Sequence, residues 1–491
     1  MIGRLEYKWI VGIVFVFGLF MDLLDMTITN VALPEIARDL KLNPDEGAST
    51  IQWVVTGYLL SLAVFIPVSG WAGDRFGTKR IFMLALLIFT SASLLCGLAW
   101  NIESLIAFRV LQGAGGGILT PVGTAMLFRA FPPEERAKGA AVLMIPMVVA
   151  PASGPVLGGY LVEYHDWTWI FFINIPVGAL GLLFAGAFLR EEKQPSPGRL
   201  DIPGFVLAAV GLGAVMYALA EAGINGFDDR QVIGFGLPGL ALLAAFVIVE
   251  LRAREPMIDM RLFRNRVFTA MNAVQIVGYG GMMGGLFLLP LLLQAEMGLS
   301  PFQSGLTTFP QAFGIIAMVQ VAARMYNNFG PRRMLITGMG GVALTTLCFV
   351  LVDLETSQWW IRLMMFARGC AFALILIPMQ TATYTTMKAP EMGRASAIFN
   401  ANRQVAAGFG VALLATVLSS RLASHDTVLG PPPLGNPGAA LDAFHEAFIV
   451  AAALTVLGML MSLLVNDREA AVSGREMDMP LGEEAAPVVA S

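Results

Sequence analysis

The sequence predicts an all-α integral membrane protein, and three observations carry that reading. Hydrophobic residues make up 56% of the chain and charged residues only 13%, against roughly 25% charge in soluble domains. Mean hydropathy is +0.71, which is more apolar surface than a water-soluble core can hide. Apolar runs follow one another almost end to end, and a hydrocarbon layer about 30 Å thick takes roughly 20 residues of helix to cross.

The first run, Trp9 to Pro34, follows a weakly basic start that imitates a signal peptide. No small-residue cleavage pattern comes after it and further spans do, so it reads as the first transmembrane helix. Five more runs complete a first group: Ile51–Ala72, Ile81–Trp100, Leu105–Phe128, Gly139–Val162 and Trp169–Leu189. Two others, Ile202–Ala222 and Val232–Leu251, sit between charged connectors. The last six are Val267–Leu293, Gly305–Ala323, Met334–Val352, Trp359–Met387, Ala395–Leu422 and Phe444–Val465. The pattern is six, two, six, or fourteen transmembrane helices in all.

Alternate connections divide the basic residues unevenly. Of the 31 Lys and Arg residues, about 23 fall on one side, among them Arg4, Lys8, Arg129, Arg136, Arg332 and Arg333, and about five on the other. The positive-inside rule then places both termini in the cytoplasm, as an even number of spans requires. Glu191–Asp201 and Arg252–Arg266 bracket the middle pair as linkers, and the proline-rich stretch Ser424–Ala440 reads as an external loop. The expected domains are an N-terminal bundle over 1–192, linkers with two extra helices over 193–266, a C-terminal bundle over 267–466, and an acidic, disordered cytoplasmic tail over 467–491.

An internal echo predicts duplication. GWAGDRFGTKR (Gly70–Arg80) follows the second span of the first group, and ARMYNNFGPRR (Ala323–Arg333) follows the second span of the last group. Parallel repeats of this kind mark transporters whose substrate site lies between the bundles near the midplane.

Several residues do not belong in lipid. Asp22 and Asp25 lie within the first span, where a charged side chain costs about 2.5–3.5 kcal/mol on insertion scales. Three residues apart, they share a helix face that Thr29 continues. Burial and mutual repulsion both favour a proton on a carboxyl group, and so close a pair titrates as a unit. A competing reading makes them purely structural partners of a cation. Arg109 is that partner, being the basic residue well inside the first six spans, with Arg368 and Arg403 as counterparts in the last six. Asn400, Asn402 and Gln404 make a polar stripe with Arg403, read as facing a cavity or packing helices. Gly113, Gly115, Gly116 and Gly117, and the cluster Gly154, Pro155, Gly158 and Gly159, permit close helix contact and loosen the backbone ladder. Cys96, Cys348 and Cys370 fall inside spans and read as small core residues rather than a disulfide framework.

These segments resemble the fourteen-span drug:proton antiporters of the major facilitator superfamily, the EmrB/QacA type, over nearly the whole chain. DMTITNVALP (Asp25–Pro34) is similar to that family's first-helix signature, whose leading Asp is implicated in proton coupling; this implies the role for Asp25, while Asp22 rests on spacing alone. Gly70, Asp74, Arg75, Gly77 and Arg80 match the loop motif held to latch the two halves on the cytoplasmic side, with Thr78 at a place often basic and Asn327 in the echo where Asp74 would align. Arg109, Gln112 and Gly113 match the fourth-helix motif, whose Arg is associated with proton transfer. APASGPVLGG (Ala150–Gly159) matches the fifth-helix antiporter motif, and DWTWIFFINIPVG (Asp166–Gly178) and NRQVAAGFG (Asn402–Gly410) are typical of the same family. The resemblance implies the major facilitator fold: two six-helix bundles plus two intervening helices.

The function expected is efflux of small hydrophobic, often cationic, drugs across the inner (plasma) membrane in exchange for protons, without metal or cofactor. A dedicated exporter of one metabolite or lipid, delivering to an external adaptor protein, is the alternative. A membrane enzyme should show HExxH, GxSxG or GxxxxGK[ST], and none occurs; nor is there a basic cluster for nucleic acid. A non-transporting sensor or scaffold would not need buried carboxylates beside an arginine helix.

Overall fold

A computed structural model of the chain describes residues 6–40, 44–132, 135–193, 201–253, 260–388, 391–427 and 436–467. The expected tail, the middle of the first linker and the tip of the proline-rich loop lie outside these residues. Among the described residues all regular structure is helical. In chain order the long helices are α1 (Tyr7–Asp39), α2 (Pro44–Phe76), α3 (Thr78–Gly97), α4 (Ile102–Ala130), α5 (Arg136–Tyr164), α6 (Trp169–Phe188), α7 (Ile202–Asn225) and α8 (Arg230–Arg252). The remainder are α9 (Arg266–Glu296), α10 (Phe302–Tyr326), α11 (Asn328–Leu351), α12 (Gln358–Thr385), α13 (Met392–Ser424) and α14 (Pro437–Met461). Among the described residues thirteen helices are long and apolar enough to cross a membrane, and α5, with 29 residues, stands where the fifth span was expected.

Small residues set the close packing of the first bundle. A Cβ at Gly113 of α4 would strike the Tyr58 carbonyl of α2, and one at Gly115, on the other side of α4, would come within 2.9 Å of the Ala85 carbonyl of α3. Only glycine lets one backbone lie against two neighbours. In the second bundle α9 meets α13 and α14, while α10, α11 and α12 pack together. The intervening α7 lies against both α2 and α13, along the seam between bundles. Its partner α8 leaves Ile233, Phe235, Leu237, Leu240 and Ile248 exposed, as a helix facing acyl chains does.

Two boundaries differ from expectation. The first helix runs past Pro34 to Asp39, because in membrane helices a proline loosens the ladder without ending it. The expected connection Ala323–Arg333 is almost wholly helical, and the chain turns at Gly330, φ +76°. Gly77, φ +101°, turns the corresponding corner between α2 and α3. Such φ values favour glycine, and each glycine abuts an acid that follows the sixth helix of its own bundle, Glu191 for Gly77 and Asp467 for Gly330. The internal echo is thus a repeated corner. Two π-helical turns, Gln275–Tyr279 and Leu292–Glu296, interrupt α9. The three cysteines are free thiols.

Candidate coupling site and interbundle latch

Asp25 and Arg109 face each other inside the first bundle because α1 and α4 pack together. Both are 0% exposed. The Arg109 guanidinium donates through Nη1 to Asp25 Oδ2 at 2.5 Å and to Gln112 Oε1 at 2.9 Å, and through Nε to the Val54 carbonyl at 3.1 Å. Asp25 Oδ1 accepts from Gln112 Nε2 at 2.9 Å and Asn174 Nδ2 at 3.0 Å. Asn174 is held in turn by Ser93, whose hydroxyl donates to the Phe171 carbonyl at 2.9 Å. A buried ion pair persists only when its remaining lone pairs and protons are also satisfied, and these neighbours satisfy them.

Asp22, one turn earlier and 4% exposed, has different company. Tyr58 donates its phenol to Oδ1, and Thr120 donates its hydroxyl to Oδ2 at 3.0 Å. Among the described residues no cation pairs with it; Arg403 of α13, in the other bundle, lies within electrostatic reach. Tyr58 joins the two carboxylates into one unit, since its ring also lies under Arg109, 4.5 Å from the guanidinium carbon. Either hydroxyl partner of Asp22 can reverse its hydrogen bond to accept from the protonated acid while the other goes on donating. The pocket can therefore hydrogen-bond Asp22 in either protonation state.

The remaining candidates are placed as follows. The Thr29 hydroxyl donates to the Asp25 carbonyl at 2.7 Å and is fully buried. Asn400 bonds back to Ser396, and Asn402 turns to the α9 π-turn, donating to the Asn272 carbonyl at 2.9 Å and Gln275 Oε1 at 3.0 Å. Arg403 and Gln404 are partly exposed, while Arg368 is buried within the second bundle. Gly154, Pro155, Gly158 and Gly159 all fall on α5, and Gly154 brings that helix against Thr27 of α1.

The loop motif meets the other bundle. A Cβ at Gly70 would come within 2.8 Å of the Gly393 carbonyl at the start of α13. Asp74 accepts from Arg129 Nη2 at 2.7 Å, and its other oxygen would be 3.4 Å from a Cβ on Gly393. A carboxylate there also complements the positive end of the α13 dipole. Arg136 donates to the Tyr384 carbonyl at 2.5 Å, Ser396 to the Pro121 carbonyl at 2.8 Å, and Phe128 stacks on Tyr384 with ring centroids 4.5 Å apart. These contacts bolt the two bundles together at the Asp74 end. Arg80 reaches Glu191 at 3.4 Å, whereas Arg75 is exposed.

Sequence reasoning missed Tyr58, Thr120, Asn174 and Arg129 as parts of these sites. Asn174 offered a signal, an amide amid apolar residues in FINIP; the others are ordinary polar residues whose partners lie on distant helices.

The sequence profile of the Major Facilitator Superfamily matches residues 15–411. The chain is 33% identical over 481 residues to the multidrug resistance protein B homolog of Mycobacterium tuberculosis, covering 91% of this chain and 88% of that one. It is 33% identical over 441 residues to the putative multidrug resistance protein MdtD of Serratia proteamaculans, covering 90% and 88%. Among solved structures, the human organic anion transporter MFSD10 superposes with a TM-score of 0.67 at 15% identity, covering 93% of this chain and 99% of that one. The proton:xylose symporter XylE does so at 0.66 and 14%, covering 95% and 98%. The fold and its buried charges define a multi-pass membrane transporter. The chain belongs to the Major Facilitator Superfamily.

Proposed function

We propose that this transporter expels small hydrophobic molecules in exchange for protons, as a fourteen-span drug:proton antiporter with α5 as the remaining crossing. The observation that carries the proposal is the asymmetry of its two membrane carboxylates. Asp25 is neutralised by Arg109, whereas Asp22 has only reversible hydroxyl partners. A cation-free carboxylate in hydrocarbon is costly, so a proton on Asp22, or a cationic substrate beside it, relieves the same cost. Competition between the two for one state is sufficient for exchange.

In the proposed cycle the bundles are held shut at the Asp74 end, which the distribution of Lys and Arg makes cytoplasmic. Asp22 takes a proton on Oδ1 from outside, the Tyr58 hydrogen bond reverses while Thr120 goes on donating to Oδ2, and the shift reaches Arg109 through the Tyr58 ring. Release of the Gly70–Gly393 and Arg136–Tyr384 contacts then opens the other side, where substrate displaces the proton. The relatives named for multidrug resistance support a broad cargo; a dedicated exporter with an external adaptor is the second reading.

The test is substrate-induced proton release in energised inverted vesicles, challenged with lipophilic cations and neutral drugs. Wild type is expected to respond and Asp22→Asn and Asp25→Asn to lose the response. Full proton-driven export by both variants would sink the coupling assignment, and silence of wild type across the panel would favour the dedicated exporter.

A further inference from the structure

Each bundle buries an arginine in its fourth helix, Arg109 in α4 and Arg368 in α12, but only Arg109 has a carboxylate. Arg368 is 1% exposed. Its Nη2 donates to the Met282 carbonyl of α9 at 3.1 Å, and its Nε and Nη1 have no partner among the described residues. A guanidinium stays charged in a protein, and a buried charge without a counter-charge is strongly destabilising.

The place where the counter-ion would stand is vacant in sequence as well. Asp25 lies on α1, the first helix of its bundle, and Gly285 lies on α9, the first of the second bundle, both roughly five turns from the start of their helices. A Cβ on Gly285 would point at Arg368, 3.4 Å from Nη2, with Ala451 Cβ at 3.4 Å and Thr346 Cγ2 at 3.9 Å. The Thr346 hydroxyl is committed to the Val342 carbonyl at 2.8 Å. From α9 to α14 the acids within the helix bounds are Glu296, Asp442 and Glu446. Glu296 belongs to the last turn of α9, Asp442 is exposed, and Glu446 pairs with Arg421 at 2.8 Å.

We propose that a small monovalent anion, chloride in size and charge, binds at Arg368 beside Gly285 and supplies the counter-charge that Asp25 supplies to Arg109. The site has the needed chemistry: a fixed cation whose Nη2 uses only one of its two N–H bonds and whose Nε and Nη1 have none committed among the described residues, one wall that carries no side chain, and apolar neighbours that exclude bulk water. Ala451 and Thr346, both within 4 Å of where a Gly285 Cβ would stand, leave no room for sulfate or a carboxylate-bearing drug. This anion is part of the second bundle's structure and is independent of the cargo.

The experiment measures the Tm of purified full-length protein in sodium chloride, bromide and gluconate at fixed ionic strength. Wild type is expected to melt a few degrees higher in chloride and bromide, with a saturable rise, because a ligand that binds only the folded state stabilises it by mass action. Gly285→Asp, which places a carboxylate on Arg368, is expected to melt in gluconate as wild type does in chloride and to show no halide response. Arg368→Gln is expected to lose the response as well. Equal Tm of wild type in chloride and gluconate would overturn the proposal and leave Arg368 to water, as would a halide response retained by both variants. Should neither variant fold, an anomalous bromide peak beside Arg368 in wild-type crystals supports the site, and a map without one rejects it.

Discussion

The two bundles solve the same electrostatic problem with different materials. In the first, Asp25, Gln112 and the Val54 carbonyl surround Arg109 until the guanidinium has a carboxylate, an amide and a backbone oxygen. In the second, Arg368 has one backbone carbonyl, and glycine stands where the acid would be. The first bundle pairs its buried arginine with a carboxylate, while among the described residues no acid pairs with Arg368 in the second.

The sharpest way to break this comparison is to remove one charge from each bundle. Asp25→Asn leaves Arg109 buried and uncompensated, and is expected to cost about 3–5 kcal/mol, the range for breaking a buried pair. Replacing both partners, Asp25→Asn with Arg109→Met, should recover much of that loss, since an apolar substitute for a buried pair is often neutral. Arg368→Met in chloride-free buffer should cost nothing or stabilise. Thermal unfolding of the three variants in one detergent decides the matter; a large loss for Arg368→Met would mean that its charge is neutralised by a protein group after all.

A smaller effect is expected where the bundles touch. Asp74→Asn weakens the Arg129 contact and the complement to the α13 dipole, a loss of about 1.5–3 kcal/mol by analogy with charged hydrogen bonds. The seam at the Asp74 end should then open more often. In a background without the three native cysteines, Ser396→Cys, buried in wild type, should react faster with maleimide when Asp74→Asn is added. Unchanged labelling would separate Asp74 from the closure of that seam. Within the first bundle, Thr120→Val removes one of the two hydroxyls on Asp22, and a loss of about 1 kcal/mol together with weakened proton release would place Thr120 in the coupling unit, not merely in the packing.

Much of this arrangement was legible beforehand, for physical reasons that also mark the limit. The spans announce themselves because lipid demands long apolar helices, and the pairing of Asp25 with Arg109 was readable because isolated charges inside spans must find one another. The corner at Gly77 was marked by its glycine among charged residues. The partners of Asp22 were not legible, because Tyr58 and Thr120 lie on α2 and α4, and nothing in the spacing of one helix says which face of another it meets. The turn at Gly330 was legible as a connection over Ala323–Arg333, but not how short it is, since one φ angle separates α10 from α11. The isolation of Arg368 was half visible: the last six spans hold no acid in their middles, but that Gly285 is the residue facing the guanidinium depends on how α9 and α12 pack.

The weakest expected effect lies at the membrane edge of the first bundle, and it sharpens the comparison by giving the cost of a charge pair in water. Glu135, in the connection between α4 and α5, accepts from Lys138 at 2.8 Å and from Lys8 at the start of α1. The Lys138 hydrogen bond foremost, and then that of Lys8, holds the Glu135 carboxyl below the usual carboxylate range. A group whose value is depressed on folding adds stability above its unfolded value, about 4.3, and loses it as the pH falls through the folded value. Exposed pairs of this kind contribute about 0.2–1 kcal/mol and are screened by salt. A double-mutant cycle with Glu135→Gln and Lys138→Met should therefore give a coupling that small at neutral pH. It should shrink in high salt and vanish in acid below the folded value. A coupling as large as that of Asp25 with Arg109, or one indifferent to salt, would mean that this edge of the bundle is shielded from water and that the contrast between buried and solvated pairs does not hold there.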